Sequence, residues 1–158
     1  MNLFLLRHAN ADWPDWNKPD DERPITKRGK KESRQMAKFL ERTKVSVELV
    51  VTSPLPRAAQ TAEIVARKLK TKLSEDDRLA PGFNVVKLKV LLEIHSYRDL
   101  MITGHEPDFS EVVHALTGGA IKLSKGGIAL VQVEQETMRG RLLLLISPRE
   151  IKRSSTES

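Results

Sequence analysis

Arg7 followed directly by His8 is the pair with the most specific chemistry in this chain. A guanidinium presents a planar fork of N–H donors that matches phosphate oxygens, and a neutral imidazole has a ring nitrogen able to attack phosphorus. The pair closes the apolar run Leu3 to Leu6. Far downstream, Leu100, Met101, Ile102 and Thr103 lead through Gly104 to a second imidazole, His105, with Glu106 next to it. Between these segments Thr52-Ser53-Pro54-Leu55-Pro56-Arg57 brings a second arginine to the junction of a β-branched run and a helical pattern. In open α/β sheets ligands bind beyond the carboxyl ends of the strands, and helix N-termini attract anions. Arg7, His8, Arg57 and His105 are therefore expected to converge on one phosphoryl group.

These residues need elements to position them, and the spacing predicts strands over Asn2 to Arg7, Leu49 to Thr52 and Leu100 to Thr103. Helices are expected after each strand. Thr26 is placed to cap a helix to about Glu41, in which Ser33, Met36, Ala37 and Leu40 form a buried stripe. Ala58, Ala62, Val65, Ala66 and Leu69 mark a second helix. Val85 to Ile94 fits both a strand and a helix, and helix is preferred because ten residues between two strands suit a crossover. Phe109, Val112, Val113 and Leu116 form another stripe, with Pro107 in its opening turn and Gly118-Gly119 at its end. Ile128 to Val133 and Arg141 to Ile146 read as an antiparallel pair. The expected fold class is α/β: three layers, α/β/α, around a mostly parallel central sheet with an antiparallel element. Residues 1–148 are read as one catalytic domain, and the charged, serine-rich 149–158 as a frayed tail.

Composition narrows the chemistry further. At 158 residues and 39% hydrophobic content the chain can bury one substantial core. There is no cysteine, which excludes disulfides, thiolate metal sites and a cysteine nucleophile, and fits a reducing compartment. His8, His95, His105 and His114 lack zinc-site spacing, so no metal and no cofactor is expected. No early stretch matches a signal peptide or a membrane span, and cytoplasmic location is the expectation. The net charge of +6 favours anionic partners. With 4% aromatic residues and no recognition motif, nucleic acid is not expected to be one of them.

Taken in order, Leu6-Arg7-His8, Arg23-Pro24-Ile25-Thr26 with Gly29, Ser53-Pro54 through Arg57 with Gln60-Thr61, Pro81-Gly82 and Gly104-His105 resemble the histidine phosphatase superfamily, which has the phosphoglycerate mutase-like fold. Within it the chain is most similar to the small SixA-type phosphohistidine phosphatase branch. The resemblance implies a nucleophilic His8 with Arg7, Arg57 and His105 as phosphate ligands, and Asn10 is expected beside them in substrate binding. Many relatives have glycine where this chain has Ala9. Larger relatives carry a glutamate acid near the Pro81-Gly82 region that has no counterpart here, which makes mutase chemistry less expected. Glu106 stands where acid phosphatase-like relatives have an aspartate, so it is either the candidate leaving-group acid or a carboxylate that complements the dipole of the helix beginning near Pro107.

The expected function is a metal-independent phosphatase working through a phosphohistidine intermediate, with phosphohistidine on a protein as substrate. The alternatives are a phosphatase of small phosphorylated metabolites and a module that binds phosphorylated or acidic partners without turnover. His95 and His114 are given no role. Trp13 and Trp16 either rim the substrate entrance or pin the long Ala9 to Ile25 loop. Lys27, Arg28, Lys30 and Lys31 are read either as a solvated helix face, the usual meaning of such a run, or as a partner-facing cluster, since cations oppose the dipole at a helix N-terminus and local stability does not account for them.

Overall fold

The computed structural model describes the backbone of residues 1–157 and the side chains of 1–154. Its frame is a six-stranded sheet in the order β3-β2-β4-β1-β5-β6, formed by β1 Asn2–Arg7, β2 Leu49–Thr52, β3 Leu73–Glu75, β4 Asp99–Gly104, β5 Ile128–Glu134 and β6 Arg139–Ile146. The strands from β3 to β1 are parallel to one another, while β5 pairs antiparallel with β1 and β6 antiparallel with β5. Strands β1, β2 and β4 read as short unbroken apolar runs because both faces of the sheet are covered. The helices are α1 Lys27–Arg42, α2 Pro56–Leu69, α3 Val85–Ile94, α4 Asp108–Thr117 and α5 Pro148–Glu157.

Two buried clusters fill the space between the layers. On one face Leu3, Leu5 and Ile102 of the sheet meet Leu88 and Leu91 of α3 and Phe109 and Val113 of α4. On the other, Phe4, Leu6 and Met101 meet Met36 and Leu40 of α1 and Val65 of α2. Successive residues of β1 thus alternate between the two cores, as the period of a strand requires. Helix α1 begins at Thr26, whose hydroxyl accepts the Gly29 N–H at 3.1 Å. The ambiguous segment Val85–Ile94 is a helix, capped by the Asn84 side chain, and its buried Leu88, Leu91 and Leu92 have helical spacing.

Three features depart from the expectations. The edge strand β3, three residues with only Ser74 turned partly inward, has no sequence pattern to announce it. Pro107 is the residue before α4 rather than part of its opening turn. The segment expected to fray from Arg149 onward is helix α5 as far as Glu157. Ile151 accounts for that helix, because it is buried against the cluster that contains Met36 and Leu40, and burying such a side chain stabilises by about 1.5 to 3 kcal/mol. Ser158 lies outside the described residues.

Candidate active site

Three parallel strands end side by side, and the residues just beyond their carboxyl ends form the site. Leu6, Thr103 and Thr52 stand in one row across β1, β4 and β2. The ladder continues for a residue beyond, as the His8 N–H donates to the Gly104 carbonyl at 3.0 Å and the Ser53 N–H to the Thr103 carbonyl at 2.9 Å. His8, His105 and Ser53 are therefore placed by the sheet rather than by loops. Gly104 has to be glycine here, since a Cβ on it would lie 2.8 Å from the ring of the fully buried Phe109. Arg57 arrives from α2, in the helix's first turn just after Pro56, where the missing proline N–H costs nothing.

A cavity of about 420 Å³ opens at this edge, lined by Arg7, His8, Arg57, His105 and Glu106 of the expected set. His8, Arg57 and His105 are 7%, 6% and 4% exposed, so they form a buried floor. The two imidazole rings lie 5.5 Å apart between centroids. His8 Nδ1 is 2.8 Å from the Ala9 carbonyl oxygen. A carbonyl only accepts, so Nδ1 carries the proton and Nε2 keeps its lone pair. Burial, reinforced by the positive charges of Arg57, Arg7 and Arg23, pushes His8 down to about 4 and holds the ring neutral at ordinary pH. Burial also pushes His105 down, to about 3, with further contributions from His8, Arg57 and Arg7.

Each of the remaining polar groups is tied to the scaffold and has at least one group left over. His105 Nε2 lies 2.8 Å from the Ser53 hydroxyl, Arg7 Nη1 donates to the Leu123 carbonyl at 2.9 Å, and Arg57 Nη1 donates to the Asp20 carbonyl at 3.0 Å. Arg7 Nε, Arg57 Nε and His105 Nδ1 are buried with no hydrogen-bond partner. Unpaired buried donors are costly and rare in folded proteins. Two arginine N–H donors, with the second ring nitrogen of His105, stand around one neutral imidazole and make a cradle for an oxyanion.

Sequence reasoning did not single out Arg23, Asp12, Asp20, Asp21 and Lys125 for chemistry, yet they also line this cavity. For Asp12, Asp20 and Asp21 the signal was the unusual length of the loop after β1, for Arg23 its place in the Arg23-Pro24-Ile25-Thr26 motif, and Lys125 had none. Asp20 is its pivot, with its carboxylate accepting from Arg23 Nε at 3.1 Å and lying 3.5 Å from Arg57 Nη2. Asn10, expected among the substrate ligands, serves the scaffold instead: its side-chain oxygen accepts the Thr26 hydroxyl at 2.8 Å and its amide donates to Asp12. Trp13 and Trp16 donate their indole N–H groups to the Pro24 and Pro19 carbonyls, so they pin the loop and do not line the cavity. Glu106 does line it, but both carboxylate oxygens hold Ser110, one its N–H at 2.8 Å and the other its hydroxyl at 2.6 Å.

The lowered His8 value ties folding stability to pH. The unfolded chain takes up this proton near the ordinary value of 6.5, whereas the folded protein does so only near about 4. Between those values the unfolded state binds more protons, so folding stability falls as pH falls. Denaturant titrations from pH 7 to 4.5 should give a shallower pH dependence for His8→Gln than for the wild type. Parallel slopes would show that His8 titrates normally in the folded protein.

The family model described as histidine phosphatase superfamily, branch 1, matches residues 3–81, a span that contains Arg7, His8 and Arg57. An uncharacterized protein of Picosynechococcus sp. is 32% identical over 94% of this chain and 98% of its own length. The phosphohistidine phosphatase SixA of Escherichia coli is 43% identical over 41% of this chain and 39% of its own. Among solved structures, that of the protein histidine phosphatase SixA complexed with tungstate superimposes with a TM-score of 0.86 at 28% identity, covering 96% of this chain and 99% of that one.

Proposed function

The chain belongs to the histidine phosphatase superfamily and is a phosphatase, and from that premise we propose that it removes phosphoryl groups from phosphohistidine on a protein, without a metal, through a covalent intermediate on His8. The His8 Nε2 lone pair attacks phosphorus in line. The P–Nε2 bond forms as the bond to the leaving nitrogen breaks, and that nitrogen keeps the electron pair. Water then attacks phosphorus, which releases phosphate and restores His8. Arg7, Arg57 and His105 bind the equatorial oxygens, where charge stabilisation is the main catalytic task. If the Ser53 hydroxyl donates to His105 Nε2, His105 Nδ1 carries the proton that faces the oxyanion. The carrying observation is the unpaired set of Arg7 Nε, Arg57 Nε and His105 Nδ1 around a neutral His8. The solved SixA structure that contains tungstate, an oxyanion, supports the reading.

A protein substrate is supported by the start of α1, where Lys27, Arg28, Lys30 and Lys31 are exposed. The start of this helix packs on the segment that follows His8, since an added Cβ on Gly29 would be 2.3 Å from the Asn10 carbonyl oxygen. Testing the proposal requires a panel of a phosphohistidine protein, phosphoester metabolites and a chromogenic aryl phosphate, each with and without chelator. The phosphohistidine protein should be the best substrate, and chelator should change nothing. Neutralising Lys27, Lys30 and Lys31 should lower kcat/KM for the protein about tenfold at low salt and spare the aryl phosphate. Turnover of metabolites alone, or dependence on a divalent ion, would overturn the proposal.

Glu106 is read as a positioning residue, given its two bonds to Ser110 at the start of α4. Glu106→Gln should slow phosphohistidine, aryl and alkyl phosphate cleavage by one common factor of less than about tenfold. A loss of about 10² confined to the alkyl ester would identify it as the leaving-group acid.

A further inference from the structure

Resting on that catalytic reading, we propose that the carboxylates of Asp20 and Asp21 form the leaving-group end of the site and select substrates whose nitrogen leaving group is protonated and cationic, a class that includes N-phosphorylated lysine and arginine side chains as well as phosphohistidine. The cavity has a charge gradient from floor to mouth. Its floor holds Arg57 and His105, both more than nine-tenths buried, and Arg57 Nε and His105 Nδ1 have no partner, which points to an anion bound within. Its mouth carries the exposed carboxylates of Asp20 and Asp21, with Asp12 beside them paired to Lys125. The Asp20 side chain is 68% exposed, the Asp12 side chain 54%, and Asp21 is exposed beside them.

The lining as a whole is balanced, with Arg7, Arg23, Arg57 and Lys125 matched by Asp12, Asp20, Asp21 and Glu106. The acids are not equivalent, however. Asp12 is paired with Lys125, and Glu106 holds Ser110. Asp20 bridges Arg57 and Arg23 from the solvent side, while Asp21 acts on Arg57 through space. A phosphoryl dianion on the floor uses the buried cations, so whatever extends toward the mouth meets carboxylates. A carboxylate or second phosphate there is repelled, and a cation is attracted.

The chemistry of departure favours the same substrates. In a protonated phosphoramidate the leaving nitrogen, or the ring or guanidinium it belongs to, already bears the proton. Attack by His8 Nε2 sends the P–N electron pair onto that group, which leaves neutral without an acid from the enzyme. This agrees with Glu106 being engaged by Ser110 rather than free to donate.

The test separates this selection from catalysis by using phosphonates, which are not hydrolysed. Calorimetry at low salt with wild type, Asp21→Asn and the double variant Asp20→Asn with Asp21→Asn would compare 4-(trimethylammonio)benzylphosphonate with 4-carboxybenzylphosphonate. The wild type should bind the cationic ligand more tightly. The double variant should lose about five- to tenfold of that preference, mainly by binding the anionic ligand better, and added salt should erode it. Asp21→Asn, which alters an exposed side chain, should lose part of it even if the double variant is misfolded. Equal affinities in the wild type, an unchanged preference in the variants, or no binding of either phosphonate would overturn the proposal. Turnover of phosphohistidine and N-phospholysine by the same proteins reads the catalytic step separately: selective phosphonate binding without any turnover would refute that step and leave the rim standing.

Discussion

Replacing His8 by alanine should reduce turnover of every phosphorylated substrate by a factor of about 10⁴ to 10⁶, the scale on which loss of a covalent nucleophile is felt. The cavity floor makes this the largest single effect expected. The His8 imidazole is neutral, its Nδ1 proton is held by the Ala9 carbonyl, and Nε2 is the lone pair available. The other imidazole at the floor, His105, has Nε2 against Ser53. The variant should still fold, because the His8 backbone N–H keeps its bond to Gly104 whatever the side chain. Steady-state kinetics and a thermal melt on the same preparation check both halves. Residual activity within tenfold of wild type would mean that another group attacks phosphorus.

Arg57→Ala should cost about 10² to 10³ in kcat, as removal of one preorganised donor to a developing oxyanion does. Its Nε is unpaired at the floor, and its Nη groups are tied to Asp20. Lysine in its place supplies charge without the planar fork, so Arg57→Lys should recover less than about a tenth of the loss. Binding of vanadate should weaken in parallel. If kcat holds and only KM rises, Arg57 contributes equally to ground state and transition state and is not a transition-state ligand.

The parts of this protein that were legible in its sequence are those set by local periodicity or by motif. The stripe Ser33, Met36, Ala37, Leu40 is the buried face of α1, and Arg7-His8 and Gly104-His105 do end neighbouring strands in register. The parts that were not legible depend on contacts distant along the chain. Strand β3 exists because Val50 to Thr52 offer it a ladder, and α5 because a single isoleucine reaches the core beside α1. Asn10 was expected among the substrate ligands, yet its side-chain oxygen accepts the hydroxyl of Thr26 sixteen positions on. The loop acids and Arg23 reach the cavity only because the 3-10 turn Asp20–Glu22 sits against α2 and the Trp13 and Trp16 indoles fasten the loop. No pattern of residue types records that arrangement.

Rapid quench coupled to mass spectrometry detects a covalent phosphoryl group on His8. Wild type mixed with excess phosphohistidine protein and stopped in alkali within the first turnover should carry one phosphoryl group, stable in base and labile in acid, on His8. The intermediate should appear before free phosphate and be absent from His8→Ala. A phosphoryl group on serine, threonine or aspartate, or steady release of phosphate with His8 never modified, would contradict the account.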